Sequence, residues 1–202
     1  MSSRSTIDSR SQKNPLEALE TSVFALERKK APPVDSWNPP YCGEIGSQIA
    51  SDGTWSYLKS PIGRASLVKL FASVLRKDED GRHYLVTPVE KIGIEVEDSP
   101  FLAVEMAVRG QGRQQSLVLR TNVDDVVTAG PEQPLCFVRD MQTGGLKPYV
   151  LVRGRLEARL TRALTYDLVE LGQVEAVDGV EKFGVWSDGR FFAMASADEL
   201  NF

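Results

Sequence analysis

The chain has 202 residues, 42% hydrophobic and 26% charged. That composition excludes wholesale disorder, collagen and coiled coil, and sets one large or two small globular domains as the expectation. Its 24 basic and 28 acidic side chains leave a net charge of −4, which excludes a generic basic nucleic-acid coat but leaves room for a local basic patch.

Residues 1–13 are polar and without periodicity, and read as a disordered tail. Asn14-Pro15-Leu16-Glu17 has the pattern of a helix start, and Leu16, Leu19, Val23 and Leu26 follow at helical spacing before Pro32-Pro33 stops it. After the Pro-rich stretch Trp37–Gly43, Ser51-Asp52-Gly53 lies between Ile49-Ala50 and Trp55, which predicts a hairpin. Leu67, Leu70, Phe71, Val74 and Leu75 predict an amphipathic helix, and strands are expected at 83–88 and 90–97. Beyond Pro100 the texture is that of strands, at 101–109, 115–121, 125–129, 135–139 and 148–153. A long helix over about 155–171 and a last hairpin around Ser187-Asp188-Gly189 complete the chain. The expected division is 1–34 (tail and helix), 35–98 (first α+β domain) and 99–202 (second domain). The two Ser-Asp-Gly turns, each beside aromatic residues, are an internal echo that duplication and convergent turn chemistry explain equally well.

The longest apolar run is the five residues Phe191–Ala195, where a spanning helix needs roughly 18. The N-terminus lacks the apolar stretch of a secretory signal, so a cytoplasmic protein is expected. Cys42 and Cys136 stand far apart in no paired motif, and are expected as buried free thiols. His83, the only histidine, follows Asp80-Gly81-Arg82 and reads as a hairpin residue. No structural metal and no cofactor are indicated.

Several strings together resemble a bacterial family known only as domain-of-unknown-function family 1285. They are Asp52-Gly53-Thr54-Trp55, Pro61-Ile62-Gly63-Arg64, Val86–Lys91, Thr121–Asp125, Pro148–Arg153 and Leu156–Leu160. The resemblance runs in order over about residues 32–195, with Asp188 standing where members tend to carry Gly. It implies an α+β fold of two small domains built on a duplicated strand/helix motif. The second domain would be a bent antiparallel sheet closed by a helix, in the manner of pleckstrin-homology folds. It further implies a nucleotide- or nucleic-acid-like ligand in the groove between the domains, and a role in signal transduction or stress response.

Read from the residues themselves, the expected long helix carries Arg155, Arg159, Arg162 and Tyr166 on one stripe, with Lys147 and Arg153 just upstream. Residues 139–162 hold six basic groups against Asp140 and Glu157, a local reversal in an acidic chain. Arginine forks match phosphate or carboxylate and Tyr166 could stack on a base; a solvated, salt-bridged face is the other reading. Asp167 falls inside the apolar face of the same helix, where Arg64 would serve as its partner or a wetted helix end would accommodate it. Gly63 and Arg64 open a helix, where backbone N–H groups favour anions, or form a rigid turn; Lys91 would join them if the domains face each other. Trp55 and Trp186 are further stacking candidates.

The sequence reading is thus a non-enzymatic protein holding a small anionic, nucleotide-like ligand between its domains, with no membrane partner and no protein partner specified. The alternatives are a metal-assisted hydrolase at Asn122, Asp124 and Asp125, which otherwise read as a strand-connecting turn, and a protein–protein adaptor.

Overall fold

Two runs of six strands fold by the same rule. In the computed structural model, which describes residues 32–141 and 143–196, β1 (Tyr41–Ile49), β2 (Trp55–Tyr57) and β3 (Ser60–Pro61) form a meander. Helix α1 (Ala65–Ser73) follows, then β4 (Leu75–Lys77), β5 (His83–Val86) and β6 (Lys91–Val96). The sheet order is β3-β2-β1-β6-β5-β4, with β1 parallel to β6, Ile49 opposite Val96. The second run is β7 (Phe101–Arg109), β8 (Ser116–Thr121), β9 (Val126–Thr128), β10 (Leu135–Arg139), β11 (Leu146–Arg153) and β12 (Leu156–Leu160). Its order, β9-β8-β7-β12-β11-β10, repeats the first strand for strand, with β7 parallel to β12 and Ala103 opposite Leu160. Helix α2 (Arg162–Glu170) comes after the last strand of this run instead of in its middle. A separate three-stranded sheet, β13 (Gln173–Val177), β14 (Val180–Ser187) and β15 (Arg190–Ser196), completes the described chain. The protein is mostly sheet with two described α-helices, in two sheet-rich domains.

The repeat relocates the internal echo. Ser51-Asp52-Gly53 joins β1 to β2, so its counterpart is the connection from β7 to β8, whereas Ser187-Asp188-Gly189 belongs to the third sheet and lies outside the repeat. That second turn instead fastens the third sheet to the second. The buried Ser187 hydroxyl donates to the Ala129 carbonyl at 2.5 Å and accepts from the Leu117 N–H at 2.8 Å.

The expected long helix at 155–171 is two elements. Leu156, Ala158 and Leu160 are buried in alternation with Glu157 and Arg159, the period of a strand. Leu156 and Leu160, four apart, satisfy helical and strand spacing alike. Thr161 is extended, at ψ 161°, and only then does α2 begin, burying Leu164 and Leu168. With the helix phase set by that pair, Asp167 is exposed, as the wetted-helix-end reading expects, and it needs no buried partner such as Arg64. Arg155 and Arg159 consequently leave the helical stripe; Arg162 and Tyr166 remain on it.

The thiols also differ from expectation. Cys42 and Cys136 are free but exposed. Cys136 alternates with the buried Leu135 on edge strand β10, so its side chain faces outward. The expected N-terminal helix lies outside the described residues. The expected helix carrying Leu67 to Leu75 is shorter: α1 buries Leu67, Leu70 and Phe71 and ends at Ser73, and Leu75 opens β4, though Val74 and Leu75 still pack in the same apolar cluster, which runs through both domains.

Candidate functional site

A groove of about 820 Å³ lies between the lead-in segment Asp35–Asn38, strand β4 with its turn (Arg76–Asp80), and the β11–β12 turn Gly154-Arg155. Its floor is built by Arg76. The guanidinium donates to the carbonyls of Val34 at 2.8 Å and Trp37 at 2.7 Å, and to Asp78 at 2.6 Å. This ties the irregular Pro-rich segment to the first sheet, giving that segment's backbone oxygens charged partners. Lys91 reaches the other Asp78 oxygen at 2.9 Å and lies 4.2 Å from the centre of the Tyr84 ring. Burial alone would raise the Asp78 pKa, but Arg76 and Lys91 together hold it below the ordinary carboxylate range. Tyr84 donates to Asp80 at 2.6 Å. These contacts leave Asp35 and Lys77 with no ion-pair partner among the described residues. A narrower cleft continues past Pro32–Asp35 to Arg153, Gly154 and Leu156. Gly154 has φ +53°, a left-handed conformation that favours glycine, and a Cβ there would make only an ordinary 3.9 Å contact with the Asp35 carboxylate.

The domain seam absorbs most of the basic residues picked out from the sequence. Arg153 pairs with Asp125, donates to the Ala72 carbonyl at 2.6 Å and packs 5.1 Å from the centre of the Phe101 ring. Arg155 meets Glu79 at 2.9 Å, an exposed pair of little energetic weight. Arg159 joins Asp98 and the Ser51 carbonyl, each at 2.7 Å, and Lys147 joins Asp140 at 2.6 Å. Arg153, Arg155 and Arg159 are thus paired with acids distant in sequence, whereas Lys147 takes its partner from its own segment. Arg155 lines the groove and Arg153 the cleft beside it. Lys91 stands behind the groove wall, on Asp78.

The remaining candidates lie apart. Gly63 and Arg64 precede α1, with Arg64 extended at its N-cap, and neither lines the groove. Arg162 donates to the Tyr166 hydroxyl at 2.9 Å on the exposed face of α2. Trp55 is 2% exposed, so its ring belongs to the core and cannot stack on a ligand. Trp186 donates to Glu175 at 3.0 Å, with Arg113 over its ring. Asn122 accepts the Leu102 N–H at 3.1 Å, Asp124 is held by Lys69 and Arg120, and Asp125 by Arg153. The three side chains thus serve separate structural contacts. Sequence reasoning missed Asp35, Trp37, Asn38 and Lys77. Their usable signal was the Trp37-Asn38-Pro39-Pro40 string, whose lack of regular structure left its backbone in need of side-chain partners.

No helix among the described residues is long and apolar enough to cross a membrane. No curated protein matches the chain. A DUF1285 family protein from Silicibacter pomeroyi DSS-3, known from its crystal structure, is 46% identical, with a TM-score of 0.81 over 89% of this chain and 98% of that one. Another, from Shewanella baltica OS155, is 29% identical, with a TM-score of 0.50 over 62% of this chain and 91% of that one. Residues 32–99 match the N-terminal domain of unknown function DUF1285 and residues 100–194 the C-terminal domain of the same family; the chain belongs to the DUF1285 family.

Proposed function

We propose that this protein is a non-enzymatic, cytoplasmic binding protein whose ligand, an anion of nucleotide type, occupies the groove between the two domains. The observation that carries the reading is the placement of a cation, Lys77, and an acceptor, Asp35, neither ion-paired among the described residues, in a groove that also holds Trp37 and Arg155. Lys77 and Arg155 would take a phosphate or carboxylate, the Trp37 indole a planar ring, and Asp35 with Asn38 the hydroxyl or amine donors of the same molecule. Asp35, Asp78, Glu79 and Asp80 stand against Arg76, Lys77 and Arg155 in the lining, so a bare polyanion is disfavoured and a ligand carrying donors as well as charge is favoured. Ligand closing the two domains together would give a sensing role, as in signal transduction or a stress response. The second domain is proposed as pleckstrin-homology-like, the β7–β12 sheet being closed by α2, which packs on β7, β11 and β12.

The test is a thermal-shift screen of mononucleotides at low salt. A ligand at about 100 times its dissociation constant adds roughly 2.7 kcal/mol of stability, which the assay resolves. Lys77→Ala and Asp35→Asn should each reduce the shift while leaving the ligand-free melting temperature in place. A wild type that no nucleotide stabilises would refute the reading.

A further inference from the structure

A second, chemically different pocket, of about 210 Å³, is lined wholly by the first sheet and the turn Leu58-Lys59 between β2 and β3. The parallel neighbours β1 and β6 put Glu44 opposite Gly93 and Gln48 opposite Glu95, so these four positions share one face of the sheet. Gly93 leaves room for the Glu44 side chain against β6: a Cβ there would stand 3.0 Å from the Glu44 Cγ. Leu58 packs onto Gly46, where a Cβ would stand 2.9 Å from its Cδ2, and the Leu58 N–H donates to the Gly46 carbonyl at 2.9 Å. The turn is thereby drawn over β1. Leu58 and Lys59 both have left-handed φ, +48° and +67°, in a two-residue hairpin turn where asparagine or glycine is usual, yet the chain keeps a lysine there.

The contacts already made around the pocket decide which polar groups remain for a ligand. Arg82 holds the Glu44 Oε1, which leaves Oε2. Gln48 donates through its Nε2 to Glu97 at 2.8 Å, so its amide is oriented and its Oε1 is left as an acceptor. Glu95 and Lys59 have no ion-pair partner among the described residues. Ser47, also in the lining, is 4% exposed, and its hydroxyl is buried with no hydrogen-bond partner among the described residues, an unsatisfied polar atom beside the pocket. The lining thus offers three side-chain acceptors and one cation. An ammonium group carries three N–H donors and no acceptor, and a carboxylate is an acceptor only; a molecule bearing one of each matches this set.

We propose that this pocket binds a small free α-amino acid, its ammonium group on Glu95, Glu44 and the Gln48 side-chain carbonyl and its carboxylate on Lys59. Lys59 disfavours a diamine, and the acceptors disfavour a simple carboxylate. The pocket has room for about seven water-sized groups at ~30 Å³ each, which fits alanine or serine and excludes an aromatic side chain. It shares no lining residue with the interdomain groove and does not depend on it.

Calorimetric titration of the full chain with L-alanine, propionate, ethylamine and L-tryptophan tests the assignment. L-alanine should bind one to one and saturably, with a dissociation constant on the order of 1 mM. Propionate and ethylamine, each lacking one of the two charges, should bind about tenfold more weakly or not at all, and L-tryptophan should not bind. Lys59→Gln and Glu95→Gln, both at exposed positions, should each weaken L-alanine about tenfold and leave the ligand-free melting temperature in place. Lys77→Ala should leave L-alanine binding unchanged, which separates failure here from failure of the nucleotide reading. The proposal is overturned if L-alanine does not saturate, if Lys59→Gln and Glu95→Gln bind it as wild type does, or if propionate, ethylamine or L-tryptophan binds as tightly.

Discussion

Arg159 donates to the Asp98 carboxylate at 2.7 Å across the boundary between the two domains. The two side chains are only 24% and 21% exposed, and neither is held by the other alone. Arg159 also donates to the Ser51 carbonyl, and Tyr149 donates to the second Asp98 oxygen at 2.7 Å. Burial, with Asp98 beside it, pushes the Tyr149 hydroxyl pKa up. Removing the guanidinium would strand a largely buried carboxylate and a backbone carbonyl. Arg159→Ala should therefore cost about 2 kcal/mol in urea unfolding, and Arg159→Lys should recover part of it. An unchanged midpoint would mean that the pair contributes nothing.

The two Ser-Asp-Gly turns should respond differently to the same substitution. Ser187 is fully buried and its hydroxyl satisfies both Ala129 and Leu117. Ser187→Ala leaves a buried carbonyl and a buried N–H unpaired, for a loss of about 1–3 kcal/mol. Ser51 works through its backbone instead, its N–H donating to Glu97 at 2.9 Å and its carbonyl accepting from Arg159. Ser51→Ala should stay within about 0.5 kcal/mol. Equal losses at the two positions would contradict this division.

What was legible in the sequence follows from these contacts. Strands 101–109 and 115–121 and the α1 face were readable because a single period, two or 3.6, dominated each segment. The helix over 155–171 was misread because Leu156, Leu160 and Leu164 keep a spacing of four through a strand-to-helix junction, and Thr161 carries no mark as strong as Pro or Gly. The basic excess of residues 139–162 was visible, but its partners, Asp98, Asp125 and Glu79, are brought to it only by the fold. The groove was legible as a place between domains and not as a residue set, because Trp37 and Lys77 owe their positions to Arg76 and to the β4–β5 pairing.

His83 makes the protein acid-sensitive in a defined window. Burial, aided by the nearby Lys77 charge, lowers its pKa from 6.5 to about 4, and its Nε2 is buried without a hydrogen-bond partner. The unfolded chain therefore takes up a proton between about pH 6.5 and 4 that the folded chain refuses. Stability is unaffected by this group above pH 6.5 and falls as the pH drops through the window. A shift of this size corresponds to about 3 kcal/mol unscreened, and the partial exposure of the ring reduces it to about 1–2. The carboxyls of Asp78, Asp80 and Asp124, held low by their partners, add their own loss only at lower pH. Chemical unfolding at pH 7 and pH 5 should show the decline in wild type, and His83→Gln should flatten it. The same slope in both proteins would assign the sensitivity to another group.

Gly172 and Gly63 give the sharpest contrast among the glycines. Gly63 has no positive φ and no atom within 4 Å of a would-be Cβ, so Gly63→Ala should be neutral or stabilise by up to about 1 kcal/mol through the unfolded chain. Gly172 also has an ordinary φ, but its Cβ would overlap the Phe183 ring. That ring cannot yield freely, because Phe183 is paired with Val174 of β13 on one side and Ala195 of β15 on the other. Gly172→Ala should thus cost about 1–3 kcal/mol, the range for overpacking. The two positions are coupled if the ring is the obstacle. In the Phe183→Ala background, where the ring is gone, adding Gly172→Ala should cost nearly nothing, leaving an interaction energy close to the whole single-mutant loss. A Gly172→Ala penalty that persists without the ring would place the strain in the backbone at the end of α2, where the Gly172 N–H donates to the Val169 carbonyl at 2.9 Å.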